Sequence, residues 1–159
     1  MASIYTSIRS ALEYKLQSTP NLPSIAWENV DFSATDGSSF LKPSFLPTLR
    51  EPAHRGINPQ MRYQGIFTVD CYSPKNEGPA SVDDMIDKII NAFEATTTIH
   101  YNTSSGELLT DEEYRLLVNT GGDTSNIVNV SIRYAERNGG VAEDQFFTTR
   151  AIIGWYIYA

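Results

Sequence analysis

The chain has 159 residues, enough for one domain with a full hydrophobic core. It carries 12 Lys and Arg against 19 Asp and Glu, a formal net charge of -7, which disfavours gripping duplex phosphates as its main task. Cys71 is the only cysteine, so intrachain disulfides and tetrahedral zinc frameworks are excluded.

Ile4, Ile8, Ala11, Leu12 and Leu16 recur at helical spacing, with Ser3 as N-cap and Pro20 as the stop. Arg9 and Glu13 interrupt the apolar core that a signal peptide would need, and no apolar run approaches the ~20 residues of a membrane span. A chain made and kept in a reducing cytoplasm is expected. Ser24 to Phe32 reads as a short strand, and Asp36-Gly37-Ser38 as a turn. Phe40 to Leu49 reads as a strand placed at a sheet edge, because Pro43 and Pro47 deny it two ladder donors. Residues 50–61 form a polar stretch without periodicity, read as a loop. Tyr63, Phe67, Val69 and Cys71 then alternate with Gln64, Thr68 and Asp70, a half-buried strand whose polar face Ile66 interrupts.

The second helix is the clearest element. Ser81 is placed as its cap, with Asp84 in the capping-box position and Asp83 beside it to complement the helix dipole. Val82, Met85, Ile86, Ile89, Ile90 and Phe93 make one apolar stripe. A strand follows at Thr97–Tyr101, then a turn at Ser104–Gly106 and a strand near Tyr114–Asn119, while 102–113 show no clear pattern. Val128, Val130, Ile132 and Tyr134 alternate as a one-sided strand. Asn138-Gly139 favours a turn, in a connection that runs to Asp144. The last strand, Phe146 to Tyr158, is apolar on both faces, so it lies centrally or is covered by a neighbouring subunit. The order indicates a single α+β domain over 1–159: a mostly antiparallel mixed sheet with two amphipathic helices packed on it.

Catalytic groups are few. Only His54 and His100 could serve a nucleophilic triad, and neither sits in a motif. Cys71 alternates with buried positions and reads as a packed thiol. Asp83, Asp84 and Asp87 gather at a helix start, where capping explains the first two. Gly121-Gly122-Asp123-Thr124 lacks the Gly-Lys-Ser/Thr ending of a phosphate loop and reads as a hairpin turn. Asn102-Thr103-Ser104 and Asn129-Val130-Ser131 match the glycosylation pattern but have no secretory signal to give it meaning. No enzyme activity, metal or cofactor is expected. His54 and Arg55, with Arg50, Glu51 and Arg62, put mixed charge on a segment too polar to pack inside. These five are the candidate contacts to another subunit or a partner; a solvated loop is the alternative.

Trp27-Glu28-Asn29, Phe40-Leu41-Lys42-Pro43 and Leu46-Pro47 resemble the opening of the phage tail-terminator family, of the lambda type found on long non-contractile tails. Gly65 to Asp70, then Pro74, Gly78 and Pro79, then the Ile89–Phe93 helix follow the family's order of strand, proline-glycine loop and amphipathic helix. The resemblance covers 4–95 and, loosely, the last strands; residues 96–124 depart from it. It implies a mixed α/β subunit that forms a hexameric ring on the head-proximal end of the tail tube. That ring halts tube polymerisation and meets the head-completion proteins. The resemblance also implies a virion protein assembled in the host cytoplasm, without cofactor or membrane, past which DNA moves without specific binding. Two other readings stay open: a head–tail connector or tail-tube component, and a small hydrolase or ligand-binding domain using His54 or His100.

Overall fold

The computed structural model describes residues 3–28, 30, 32, 38–74, 80–143 and 146–159, with the backbone alone at 139–143 and 146. Ten elements follow in order: α1 (Ile4–Ser18), β1 (Ser24–Ile25), β2 (Phe40–Pro52), β3 (Met61–Pro74), α2 (Ala80–Ala92), β4 (Thr98–Asn102), β5 (Glu107–Leu109), α3 (Asp111–Asn119), β6 (Ile127–Glu143) and β7 (Phe146–Tyr158). The strands form one sheet in the order β1-β2-β3-β7-β6-β4-β5, curled as a half-barrel. Only β1 and β2 run parallel; every other neighbouring pair is antiparallel.

Side chains alternate across a strand, so one face of the sheet collects Leu41, Phe45, Phe67, Val69, Cys71, Ala151, Ile153, Trp155 and Ile157, all buried. Helix α1 covers this face with Ile8, Ala11, Leu12 and Leu16, and α2 covers it with Val82, Met85, Ile86 and Ile89. Ser3 accepts from the Tyr5 amide as the predicted cap of α1. Trp155 fills the centre, stacked on Phe45 at 5.3 Å, in a slot that Gly65 leaves open on the neighbouring strand. The last strand is central, as one of the two readings of its double apolar face required.

The structure corrects the reading of several segments. Tyr114–Asn119 is helix, so three helices are present among the described residues. Tyr114, Leu116 and Val118 imitate a strand's period of two, but the helix-start chemistry just before them decides the outcome. Thr110 Oγ1 accepts from the Glu113 amide at 3.1 Å, and the Glu113 carboxylate accepts from the Thr110 amide at 3.4 Å. Gly121, at φ +73°, and Gly122 then end α3: their amides donate to the carbonyls of Val118 and Leu117 at 3.1 and 2.9 Å. They form a helix stop and not a hairpin turn.

Ser81 lies inside α2, which already begins at Ala80, so it is not the cap of that helix. The short strand predicted to Phe32 stops at Ile25, leaving Val30 and Phe32 exposed outside any strand. Asn138-Gly139 does not turn the chain. Strand β6 continues to Glu143 and absorbs that dipeptide at a register shift between Asn138 and Val141. The turn at Asp36-Gly37 and the Gly78-Pro79 pair lie outside the described residues.

Strand β4 divides the two sides of the sheet. Its Tyr101 meets Tyr14 of α1 at 6.0 Å, whereas the adjacent His100 points the other way and stacks on Tyr114 of α3 at 4.3 Å. Helix α3 therefore packs on the face opposite α1 and α2, and it contributes no fully buried residue. Residues 103–126 supply the outermost strand β5 and helix α3, and the segment begins and ends at one point, where the Thr103 amide and hydroxyl donate to the Asn126 carbonyl at 2.8 and 3.0 Å.

Candidate assembly interface

Strand β2 carries two of the five predicted contact residues, Arg50 and Glu51. Its first two residues pair with β1; from Lys42 to Pro52 its outer side faces no strand among the described residues. An open edge invites strand addition, and three features blunt this one. Pro43, Pro47 and Pro52 carry no amide donor. A register shift between Pro47 and Leu49 interrupts the ladder. The Phe45 amide, which no strand meets on that side, donates instead to Glu28 Oε1 at 3.1 Å, and Glu28 is held in turn by Arg9 at 3.1 Å. The Trp27-Glu28 motif thus fastens the sheet edge to α1.

The predicted loop 50–61 is shorter than expected. Strand β2 runs to Pro52 and β3 starts at Met61, so Arg50, Glu51 and Arg62 sit on strands and only His54 and Arg55 lie in the loop 53–60. The register places Arg50 opposite Tyr63 and Glu51 opposite Arg62. Arg50 Nε donates to the Tyr63 hydroxyl at 3.2 Å, which raises the guanidinium's pKa above its ordinary value. Arg62 reaches Glu51 at 3.8 Å and lies over the Tyr156 ring at 5.6 Å. Exposed pairs of this kind contribute about 0–1 kcal/mol each. Their value here is orientation: the two arginines lie along ring faces and are not free in solvent. His54 Nδ1 donates to the Arg55 carbonyl at 3.2 Å, and next to it Ile57 is 95% exposed. All five predicted residues thus share one hairpin end.

The second apolar side of the last strand, noted in the sequence, belongs to the helix-free part of the sheet's second face. Ile66, Ile152 and Tyr156 are half-buried there and Tyr158 is exposed, across the adjacent strands β3 and β7. Ile66 on a nominally polar face was the signal for it. The Asp70 carboxylate accepts from Arg150 Nε at 2.6 Å and from its second nitrogen at 3.2 Å, a bidentate pair that raises the arginine's pKa.

Two further groups weighed for chemistry, His100 and Cys71, are occupied structurally. His100 is buried, with Nδ1 2.7 Å from Asn129 Oδ1 and Nε2 2.8 Å from Asp111 Oδ1, so both ring nitrogens are engaged. Asn129 also donates to the Tyr114 hydroxyl at 3.2 Å. This network fixes α3 to β4 and leaves no imidazole nitrogen directed at a substrate. Cys71 is fully buried beside Asp70, and burial first, then that carboxylate, pushes its thiol up to about 12. No three His, Cys, Asp or Glu side chains come together as a metal site among the described residues, and no helix there is long and apolar enough to cross a membrane.

Comparison with known proteins agrees with this picture. Eleven chains of solved structures match. One of them superposes with a TM-score of 0.62 over 99% of this chain and 97% of its own, at 16% identity, a likeness of fold alone. No curated protein matches the chain. The family model described as phage tail terminator protein matches residues 7–134, including the 96–124 segment that the resemblance could not place. The chain belongs to the phage tail terminator family, whose members are structural proteins of the virion tail.

Proposed function

We propose that this chain closes into a ring, hexameric by analogy with its family, on the head-proximal end of a long non-contractile tail tube. There it stops tube polymerisation and offers its other face to the head-completion protein. Family membership carries the reading. The half-buried aromatic and aliphatic face over β3 and β7 supports it, because a contiguous apolar patch of this kind marks a contact surface. Arg50, Glu51, His54, Arg55 and Arg62 are proposed to touch the neighbouring subunit or the tube. Six copies would carry roughly -42, enough to repel DNA from any channel wall that holds part of that charge. A channel lined mainly by Lys and Arg in the assembled ring would remove this last element.

The test adds the purified protein to polymerising tube subunits. A terminator stops growth at a small molar fraction; a tube component extends the tube; a connector does neither. Reversing Arg50 and Arg55 to Glu is expected to weaken capping while leaving the monomer's thermal unfolding unchanged. Unchanged capping by that variant would remove the hairpin from the interface.

A further inference from the structure

We infer that the two lateral edges of the sheet are complementary surfaces, and that the partner of each is the opposite edge of a second copy of this chain. The inference rests on the ring reading and names the contact that closes it.

The charge of the molecule is unevenly divided. Residues 40–62, which make β2 and its hairpin, carry Lys42, Arg50, Arg55 and Arg62 against Glu51 alone. The excursion 103–126, at the other end of the strand order, carries Glu107, Asp111, Glu112, Glu113 and Asp123 against Arg115 alone. A molecule with a net charge of -7 thus keeps one basic edge. Two copies meeting by the same edge would oppose like charges, whereas basic edge against acidic edge joins them head to tail. That is the heterologous contact from which rings are built.

Apolar exposure coincides with the charge. Leu46 and Leu49 are 48% and 38% exposed on the basic edge, and Leu116 and Val118 are 64% and 50% exposed on α3. The surfaces also stand at the same height. One row of the sheet runs from Leu49 through Gln64, Tyr156 and Ser131 to Thr98. Thr98 lines the groove beneath α3 together with His100, Asp111, Tyr114, Arg115 and Val118. Copies set side by side without vertical offset therefore bring Leu49 and Arg50 of one level with the α3 groove of the next. The prolines of β2 exclude a continuous backbone ladder across this junction, so side chains make the contact.

The experiment uses two exposed double variants of the full chain: Arg50→Glu with Arg55→Glu, and Glu107→Lys with Glu112→Lys. Light scattering at low ionic strength follows assembly of each alone and of an equimolar mixture. The first variant turns the basic edge acidic and the second neutralises the acidic one, so each alone loses the charge attraction at every junction and is expected to need roughly tenfold more protein to assemble than wild type. The mixture restores the wild-type charge pairing at alternate junctions and sets the two substituted edges against each other at the rest, so it is expected to assemble at a lower concentration than either variant alone. A mixture no better than its components, or variants that assemble like wild type, overturns the pairing while wild-type rings leave the terminator reading standing. A wild-type chain that stays monomeric at every concentration overturns the pairing as a contact made unaided, and tube capping then decides the ring reading separately.

Discussion

Gly65→Ala is expected to destabilise the fold by about 2 kcal/mol, although replacing a strand glycine by alanine ordinarily gains about 0.5–1 kcal/mol. A Cβ at this position would lie 2.4 Å from the Leu46 carbonyl oxygen, 2.8 Å from Pro47 Cα and 2.7 Å from Trp155 Cζ2. Two of these neighbours are backbone, fixed by the β2–β3 register, and the third belongs to an indole that is fully buried and stacked on Phe45. None can yield without separating strands or moving the central side chain, and overpacking of this kind costs about 1–3 kcal/mol, occasionally more. Gly154 makes the comparison informative. The three atoms nearest its added Cβ all belong to the Tyr134 ring, at 2.4–2.8 Å, and that ring is half-buried and can swing outward. Gly154→Ala should therefore cost less than about 1 kcal/mol. Urea unfolding followed by tryptophan fluorescence measures both, and with a slope of about 2 kcal/mol/M the Gly65 variant should lose about 1 M in midpoint. Equal midpoints for the two variants, or a Gly65→Ala protein as stable as wild type, would refute the argument that the indole slot is closed by backbone.

Three further outcomes follow from the same geometry. The raised Cys71 pKa means that the folded state holds its proton more tightly than the unfolded chain, so its stability contribution is level below pH 9 and falls as pH rises toward 12. Wild type should lose about 1 kcal/mol relative to Cys71→Val between pH 8 and pH 10, and the thiol should ignore maleimides until the protein unfolds. Thr110→Ala removes the cap of a helix with no fully buried residue, and a loss of about 1 kcal/mol is expected to be confined to α3, seen as faster amide exchange in 111–119 with global unfolding unchanged. His100→Ala deletes the Tyr114 stack and leaves Asn129 unpaired on one side, a cost of about 1–3 kcal/mol in denaturant unfolding, whereas His54→Ala should be silent.

Where a segment is bound to the core, its sequence was readable. The stripes of α1 and α2 and the alternation of β3 and β7 are set by burial against one sheet face, so the apolar period survives in the residues. The same logic placed β2 at an edge from Pro43 and Pro47. Reading failed where burial stops deciding. Helix α3 has no buried side to impose a 3.6-residue period, and only Thr110 with Glu113 announces it. Strand β6 past Tyr134 pairs on one side only, so Asn138-Gly139 could sit in a bulge while looking like a turn. The five proposed contact residues were singled out from polarity alone. The placing of Arg50 against Tyr63 and of Arg62 over Tyr156 depends on cross-strand register, which polarity does not encode. The acidic residues of 103–126 were visible in composition, but their place at the opposite end of the strand order appears only in the structure.

The hydrogen bonds from Thr103 to Asn126 give the molecule a modular economy. Residues 103–126 contribute nothing to the fully buried core and both begin and end on that junction. Changing their length costs only a logarithmic term in closure entropy. The segment is therefore a cassette at the margin of the fold: its exposed turns can change length while β5 keeps its pairing to β4 and the core beneath folds as before. Its exposed residues can change without renegotiating the interior.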